Sequence, residues 1–74
     1  MSPALSDLPL RKVTRVVESL GFAYVRTTGS HAVYRHPDGR GVVIPQYSTV
    51  KRGTLASILR QAGIKPDEFH ELLG

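Results

Sequence analysis

Cysteine is absent from this 74-residue chain, which excludes disulfides and thiolate metal sites and fits a reducing interior. No apolar run approaches membrane-spanning length. The start, Met1-Ser2-Pro3-Ala4-Leu5, has neither the basic region nor the long apolar stretch of a secretory signal. Cytoplasmic residence is the simplest expectation. Internal repeats and low-complexity tracts are missing as well. The length allows one compact domain and no second independent core, so recognition and any chemistry must share a small surface. We expect a leader over residues 1–7 and a single domain over 8–74.

Acidic residues are scarce over most of the chain. Between Leu8 and Arg60 there are nine Lys or Arg and only two acids, Glu18 and Asp38, whereas Asp67, Glu68 and Glu71 gather near the end. The whole chain carries a formal charge of +4, so the bias is local. It predicts one anion-attracting face rather than a uniformly basic particle. Attraction to phosphates through counterion release would weaken as salt rises. A basic surface around an imidazole, His31, makes RNA handling the leading expectation.

Leu10, Val13, Val16, Val17 and Leu20 recur at helical spacing, predicting a first helix that Asp7 caps, with Pro9 in its first turn and Gly21 as its stop. Its opposite side carries Arg11, Lys12 and Arg15, which suit a solvated face as well as an RNA contact. Aromatic and branched residues over Phe22–Thr27 then favour a strand. A turn at Thr28-Gly29, a second strand from Ser30 or His31 through Arg35, a turn at Pro37–Arg40 and a third strand over Gly41–Ile44 complete an antiparallel meander. Pro45 ends it, and Gln46–Arg52 is expected as a polar, basic loop. Gly53-Thr54 introduces a helix with the stripe Leu55, Ile58, Leu59 and Ala62, closed by Gly63. A short helix follows from Pro66, with Asp67 and Glu68 in its first turn. The fold class is therefore α+β, an α-β-β-β-α arrangement compatible with a double-stranded-RNA-binding-like fold, with a short additional C-terminal helix. Strand parity puts His31, Val33 and Arg35 on one face, taken as the open one, and Ala32 and Tyr34 on the other.

Arg26, Arg35, Lys51, Arg52 and Arg60 are the phosphate-contact candidates, although Arg60 also suits a salt bridge or a solvated helix face. Ser30 can bond a phosphate or cap the turn. Thr54 can be an N-cap or, with the early amides of its helix, meet an anion. Of the tyrosines, Tyr34 suits the core, whereas Tyr47, in the basic loop, suits stacking on an exposed base. His31 taken alone fits a polar residue at the entry to a strand, or an acid–base group with an ordinary pKa of about 6.5. His36 reads as a surface turn residue and His70 as remote. The three histidines lack metal-ligand spacing, so no metal or other cofactor is expected.

Four stretches together resemble the HicA (YcfA-like) family of small toxin ribonucleases from toxin–antitoxin modules. They are Leu20-Gly21-Phe22, Gly29-Ser30-His31, Arg35-His36-Pro37-Asp38-Gly39-Arg40, and Lys51-Arg52-Gly53-Thr54-Leu55-Ala56-Ser57-Ile58-Leu59-Arg60-Gln61-Ala62-Gly63-Ile64. The resemblance extends through Glu68-Phe69 to the terminal leucines. It implies the double-stranded-RNA-binding-like fold, cleavage of messenger RNA, inhibition by a cognate HicB antitoxin, and catalysis by the histidine after Gly-Ser, which is His31. Many members have a second histidine two residues after the proline that closes the third strand; Tyr47 stands there in this chain.

The expected activity is thus that of an mRNA interferase, a metal-independent endonuclease acting on unpaired RNA. His31 would take the proton of a 2′-hydroxyl, and His36, Tyr47 or water would protonate the leaving 5′-oxygen. Two other classes remain open. One is an RNA-binding module without cleavage, and the other is a component whose main role is association with a HicB-like partner.

Overall fold

The structure is a computed structural model that describes residues 4–74, so the first three residues of the expected leader lie outside the described residues. In chain order the elements are β1 (Leu8–Pro9), α1 (Leu10–Ser19), β2 (Ala23–Thr28), β3 (His31–Arg35), β4 (Gly41–Pro45), β5 (Thr49–Val50), α2 (Arg52–Ala62) and α3 (Pro66–Leu73). Strands β2, β3 and β4 form an antiparallel sheet in that order. The fold is α+β, consistent with the α-β-β-β-α double-stranded-RNA-binding-like arrangement plus a C-terminal helix.

Apolar spacing explains the core. Val13, Val16 and Val17 of α1 are buried, as are Leu55, Ile58, Leu59 and Ala62 of α2. They meet Ala32, Tyr34, Val42 and Ile44 from the inner sheet face, together with Phe22, Val50 and Phe69. Helical period 3.6 against strand period 2 thus brings one stripe of each element to a common interior. Burial, and next the Glu18 carboxylate, push the Tyr34 hydroxyl above its ordinary range, which keeps it neutral. At the end of α2, Gly63 adopts φ 74°, and the Ile64 amide donates to the Leu59 carbonyl at 3.1 Å. That is the glycine-terminated cap expected there.

Several local expectations are corrected. Asp7 does not cap α1: Pro9 is the N-cap residue, without a side-chain hydrogen bond. Asp7 Oδ1 instead accepts the Arg52 amide at 2.9 Å, so it serves the first turn of α2. Gln46–Arg52 is not wholly a loop, because β5 pairs with β1 through Leu8↔Val50 and Pro9↔Thr49. A ladder of two residues a side is too short to show as alternation, and its pairing spans some forty residues of chain. Helix α2 begins at Arg52 after the N-cap residue Lys51, which puts Thr54 in the first turn rather than at the cap. The first sheet turn is Gly29-Ser30, since Thr28 still pairs with His31. Phe22 precedes β2 and is buried.

Candidate active site

The entry to β3 is built by a two-residue hairpin loop. Gly29 has φ 60° while Ser30, like every other non-glycine residue described, avoids positive φ. Positive φ at the first central position alone matches a type II′ turn, whose twist suits antiparallel strands. Thr28 and His31 close the turn as a cross-strand pair, and His31 also pairs with Pro45 on β4. Its imidazole is exposed at the end of the sheet.

The segment after Pro45 is tied to the same turn. The Gln46 amide donates to the Ser30 carbonyl at 2.6 Å, and the Leu10 amide donates to the Ser48 carbonyl at 3.0 Å. Between these two anchors sits Tyr47, with 61% of its surface exposed. Tyr47 is therefore presented at the His31 end of the sheet by backbone bonds on both sides of it. Beyond β5, Lys51 and Arg52 are exposed where α2 starts, and they line an open hollow with Leu5, Ser6 and Asp7.

Cross-strand register identifies the outer sheet face. Opposite the buried Ala32 and Tyr34, the other parity set is His31, Val33 and Arg35, with Thr28, Arg26 and Ala23 across on β2 and Pro45, Val43 and Gly41 across on β4. Arg26, His31 and Arg35 are exposed on it, and none of these nine residues is an acid. The face combines two guanidinium groups, an imidazole and a short valine bar.

The model of the family described as HicA toxin of bacterial toxin-antitoxin matches residues 10–64. The chain belongs to the HicA toxin family. The match runs from the first residue of α1 to just past the C-cap of α2, and so contains every candidate residue named above. No curated protein matches the chain. HicA membership makes this protein a toxin of a toxin–antitoxin system and implies a cognate antitoxin partner.

Within this HicA domain the structure separates some candidates from His31. Arg60 lies two turns along α2 from Arg52, bonds the Ser57 hydroxyl at 3.1 Å and lines a different cavity with Leu5, Ala56, Leu59, Ile64 and Pro66. His36 stands beyond the far end of β3, about 16 Å from His31 at the strand rise of about 3.3 Å per residue. It is held there in edge contact with Phe22, and its Nδ1 is 3.0 Å from Asp38 Oδ1. Its expected alternative role as the acid for the same scissile bond is therefore corrected by distance. His70 Nδ1 bonds the Pro66 carbonyl at 2.7 Å inside α3. Thr54 is half-buried in the first turn of α2. Among the described residues no group of three or more His, Asp or Glu side chains is placed to hold a metal ion, and no helix is long and apolar enough to cross a membrane.

Three contributors to the site were not read from the sequence. Thr28 sits beside His31 because the turn is one residue later than expected. Gln46 fastens the Tyr47 segment through its amide. Val25 is an extra residue in β2, where the register passes from Tyr24↔Tyr34 directly to Arg26↔Val33. An aromatic at Tyr24 suited to packing on Tyr34 was the one available signal for this shift.

Proposed function

We propose that this toxin is a ribonuclease, an mRNA interferase that cuts unpaired RNA in the cytoplasm with His31 as general base. The carrying observation is an exposed imidazole at a backbone-fixed turn, on an acid-free sheet face that also bears Arg26 and Arg35, with Tyr47 presented alongside. Neutral His31 takes the proton of a 2′-hydroxyl, and the 2′-oxygen attacks the adjacent phosphorus. The P–O5′ bond breaks, leaving a 2′,3′-cyclic phosphate on one product. The departing 5′-oxygen takes a proton from the Tyr47 hydroxyl or from water. His31 gives the proton it took to solvent, and the donor, the Tyr47 phenolate or hydroxide, takes one back from solvent, so the protons balance. DNA lacks the nucleophile, which accounts for selectivity toward RNA. Attack needs the 2′-oxygen, phosphorus and leaving oxygen nearly in line, a geometry that a regular duplex restrains, so unpaired segments are the substrate. No step is assigned to a metal.

Ser30 orients or bonds the phosphate at the turn. Lys51, Arg52 and the early amides of α2 near Thr54 extend the anionic contact past β5. Arg60, on another part of α2, steers RNA only at long range. The cognate antitoxin, in this proposal HicB-like, inhibits by laying acidic groups over the basic face and covering His31.

The test is incubation of pure protein with labelled RNA in chelator. Products with cyclic phosphate ends, lost in folded His31→Ala protein, are expected. RNA binding without products would assign the domain to non-catalytic binding. A tight antitoxin complex that still cleaves would overturn the occlusion.

A further inference from the structure

The extra residue in β2 reverses the parity of everything after it. Tyr24 pairs with Tyr34 on the inner side. In an uninterrupted strand Val25 would then face outward, Arg26 inward and Thr28 inward. The register instead pairs Arg26 with Val33 and Thr28 with His31, so both point outward with the imidazole. An independent contact supports the same geometry: the Tyr24 and Thr27 hydroxyls are 2.7 Å apart, although residues three apart in a regular strand project to opposite faces. Bulges re-aim side chains in this way, and they are over-represented beside functional sites.

We propose that the Val25 bulge makes Arg26 the phosphate-holding residue of the His31 site, on an outer sheet face that seats one unpaired RNA strand running from His31 to Arg35. This rests on the ribonuclease reading above and adds which surface carries the strand. Arg26 is cross-strand to Val33 and diagonal to both His31 and Arg35, at the roughly 7–8 Å spacing that long side chains bridge. Its guanidinium fork matches two phosphate oxygens, and it gains most when negative charge grows on them in the transition state. Arg35 lies four strand residues from His31, about 13 Å away, and holds a neighbouring phosphate. Between them, Val33 and Val43 form a cross-strand apolar bar, with Val43 37% exposed. Bases rest on this bar while the backbone follows the arginines. Two arginines and no carboxylate on the face favour a polyanion, and the apolar bar between them offers the flat contact that bases use and a row of acidic side chains does not.

A charge-neutral swap tests the bulge. Val25→Arg/Arg26→Val keeps net charge but moves the guanidinium to the bulged position, which has no cross-strand partner on β3, and away from the place opposite Val33 and diagonal to His31. It is expected to lose kcat/KM as Arg26→Ala does, by about 10²-fold, with Arg26→Lys losing less. Val43→Glu puts an acid on the bar and should raise KM and weaken binding of an RNA with a 2′-deoxy cut site. Lys65→Gln, with the same change in net charge away from the face, should leave both unchanged. Thermal unfolding of each variant confirms folding, and Val43→Glu and Arg26→Ala decide the matter if the swap does not fold.

Wild-type RNA affinity and cleavage in both Arg26→Ala and Val43→Glu, with His31→Ala inactive, would overturn the seat and leave the ribonuclease reading intact. Failure of the wild type to cleave would overturn that reading; affinity for the 2′-deoxy RNA would still decide the seat. Variants that keep RNA affinity but lose the antitoxin would give the face to the partner protein and overturn the proposal.

Discussion

Replacing His31 by alanine removes an exposed ring at the mouth of a hairpin while leaving the Gly29-Ser30 turn and the Ser30–Gln46 backbone bond in place. Exposed substitutions of this kind change stability by about 0.5 kcal/mol or less, whereas loss of a general base lowers cleavage by roughly 10²–10⁴-fold. Thermal unfolding, affinity for RNA and product formation, measured on the same variant, should show the first two preserved and the third collapsed. Parallel losses of folding and cleavage would remove the case for a chemical role. At this scale the sequence was legible where a local pattern fixes a position, as with His31, which follows the Gly29-Ser30 turn and is exposed at the entry to β3. It was less legible for arginines. Strand parity placed Arg35 on the His31 face, whereas Arg26 and Arg60 look alike as letters, yet the β2 register puts the first on that face and α2 carries the second to another cavity.

The short elements explain how the site is held, and they are the parts that periodicity misses. Asp7 crosses forty-five positions to accept the Arg52 amide, and with the β1–β5 ladder it fastens the segment leading from Tyr47 into α2. Asp7→Ala should cost about 0.5–2 kcal/mol, as loss of a helix N-cap acceptor does, while Asp7→Asn should retain most of it; denaturant unfolding of both variants checks this. The opposite end of the sheet is fastened by Arg40, whose Nη1 donates to the Ala62 carbonyl, whose guanidinium lies 5.2 Å from the Phe22 ring centroid, and whose Nε donates to Asp38 Oδ2 at 2.8 Å. Asp38 completes the turn. Its amide donates to Nδ1 of a neutral His36 at 3.1 Å, and a protonated His36 donates from the same atom to its carboxylate. The Arg40 amide above all, and then the Arg40 guanidinium, hold the Asp38 carboxyl below the ordinary carboxylate range. A folded-state value below the unfolded one adds stability above the unfolded value, which is lost as pH falls through the folded value. Midpoints of thermal unfolding should therefore be higher for the wild type than for Asp38→Asn near neutrality and converge under acid; parallel curves would remove Asp38 from the acid response. The long apolar stripes of α1 and α2 were plain in the sequence because three or four residues repeat one spacing. Caps and two-residue ladders depend on partners far along the chain, which no local pattern specifies.

For the molecule as a whole, the family match ends at residue 64, yet the interior does not. Phe69 of α3 is fully buried, and Leu73 packs against the same core. The Arg15 guanidinium of α1 donates to the Leu73 carbonyl at 3.4 Å, and the Glu68 carboxylate accepts the Lys65 amide at 3.2 Å to start the helix. A domain of this size buries a modest fraction of its surface and has little stability in reserve. Its third helix is thus part of the wall that keeps α1 and α2 pressed on the sheet, and so holds the hairpin carrying His31. Phe69→Ala should cost about 3–5 kcal/mol through lost burial and the cavity left behind, a large part of the roughly 5–15 kcal/mol that stabilises a typical domain. The expected result is one cooperative unfolding transition at a much lower temperature, with RNA cleavage lost at 37 °C and recovered on cooling below the new midpoint. If α3 instead unfolded in a separate early step while cleavage persisted, the helix would be an appendage, and the sheet with α1 and α2 would be sufficient to hold the site.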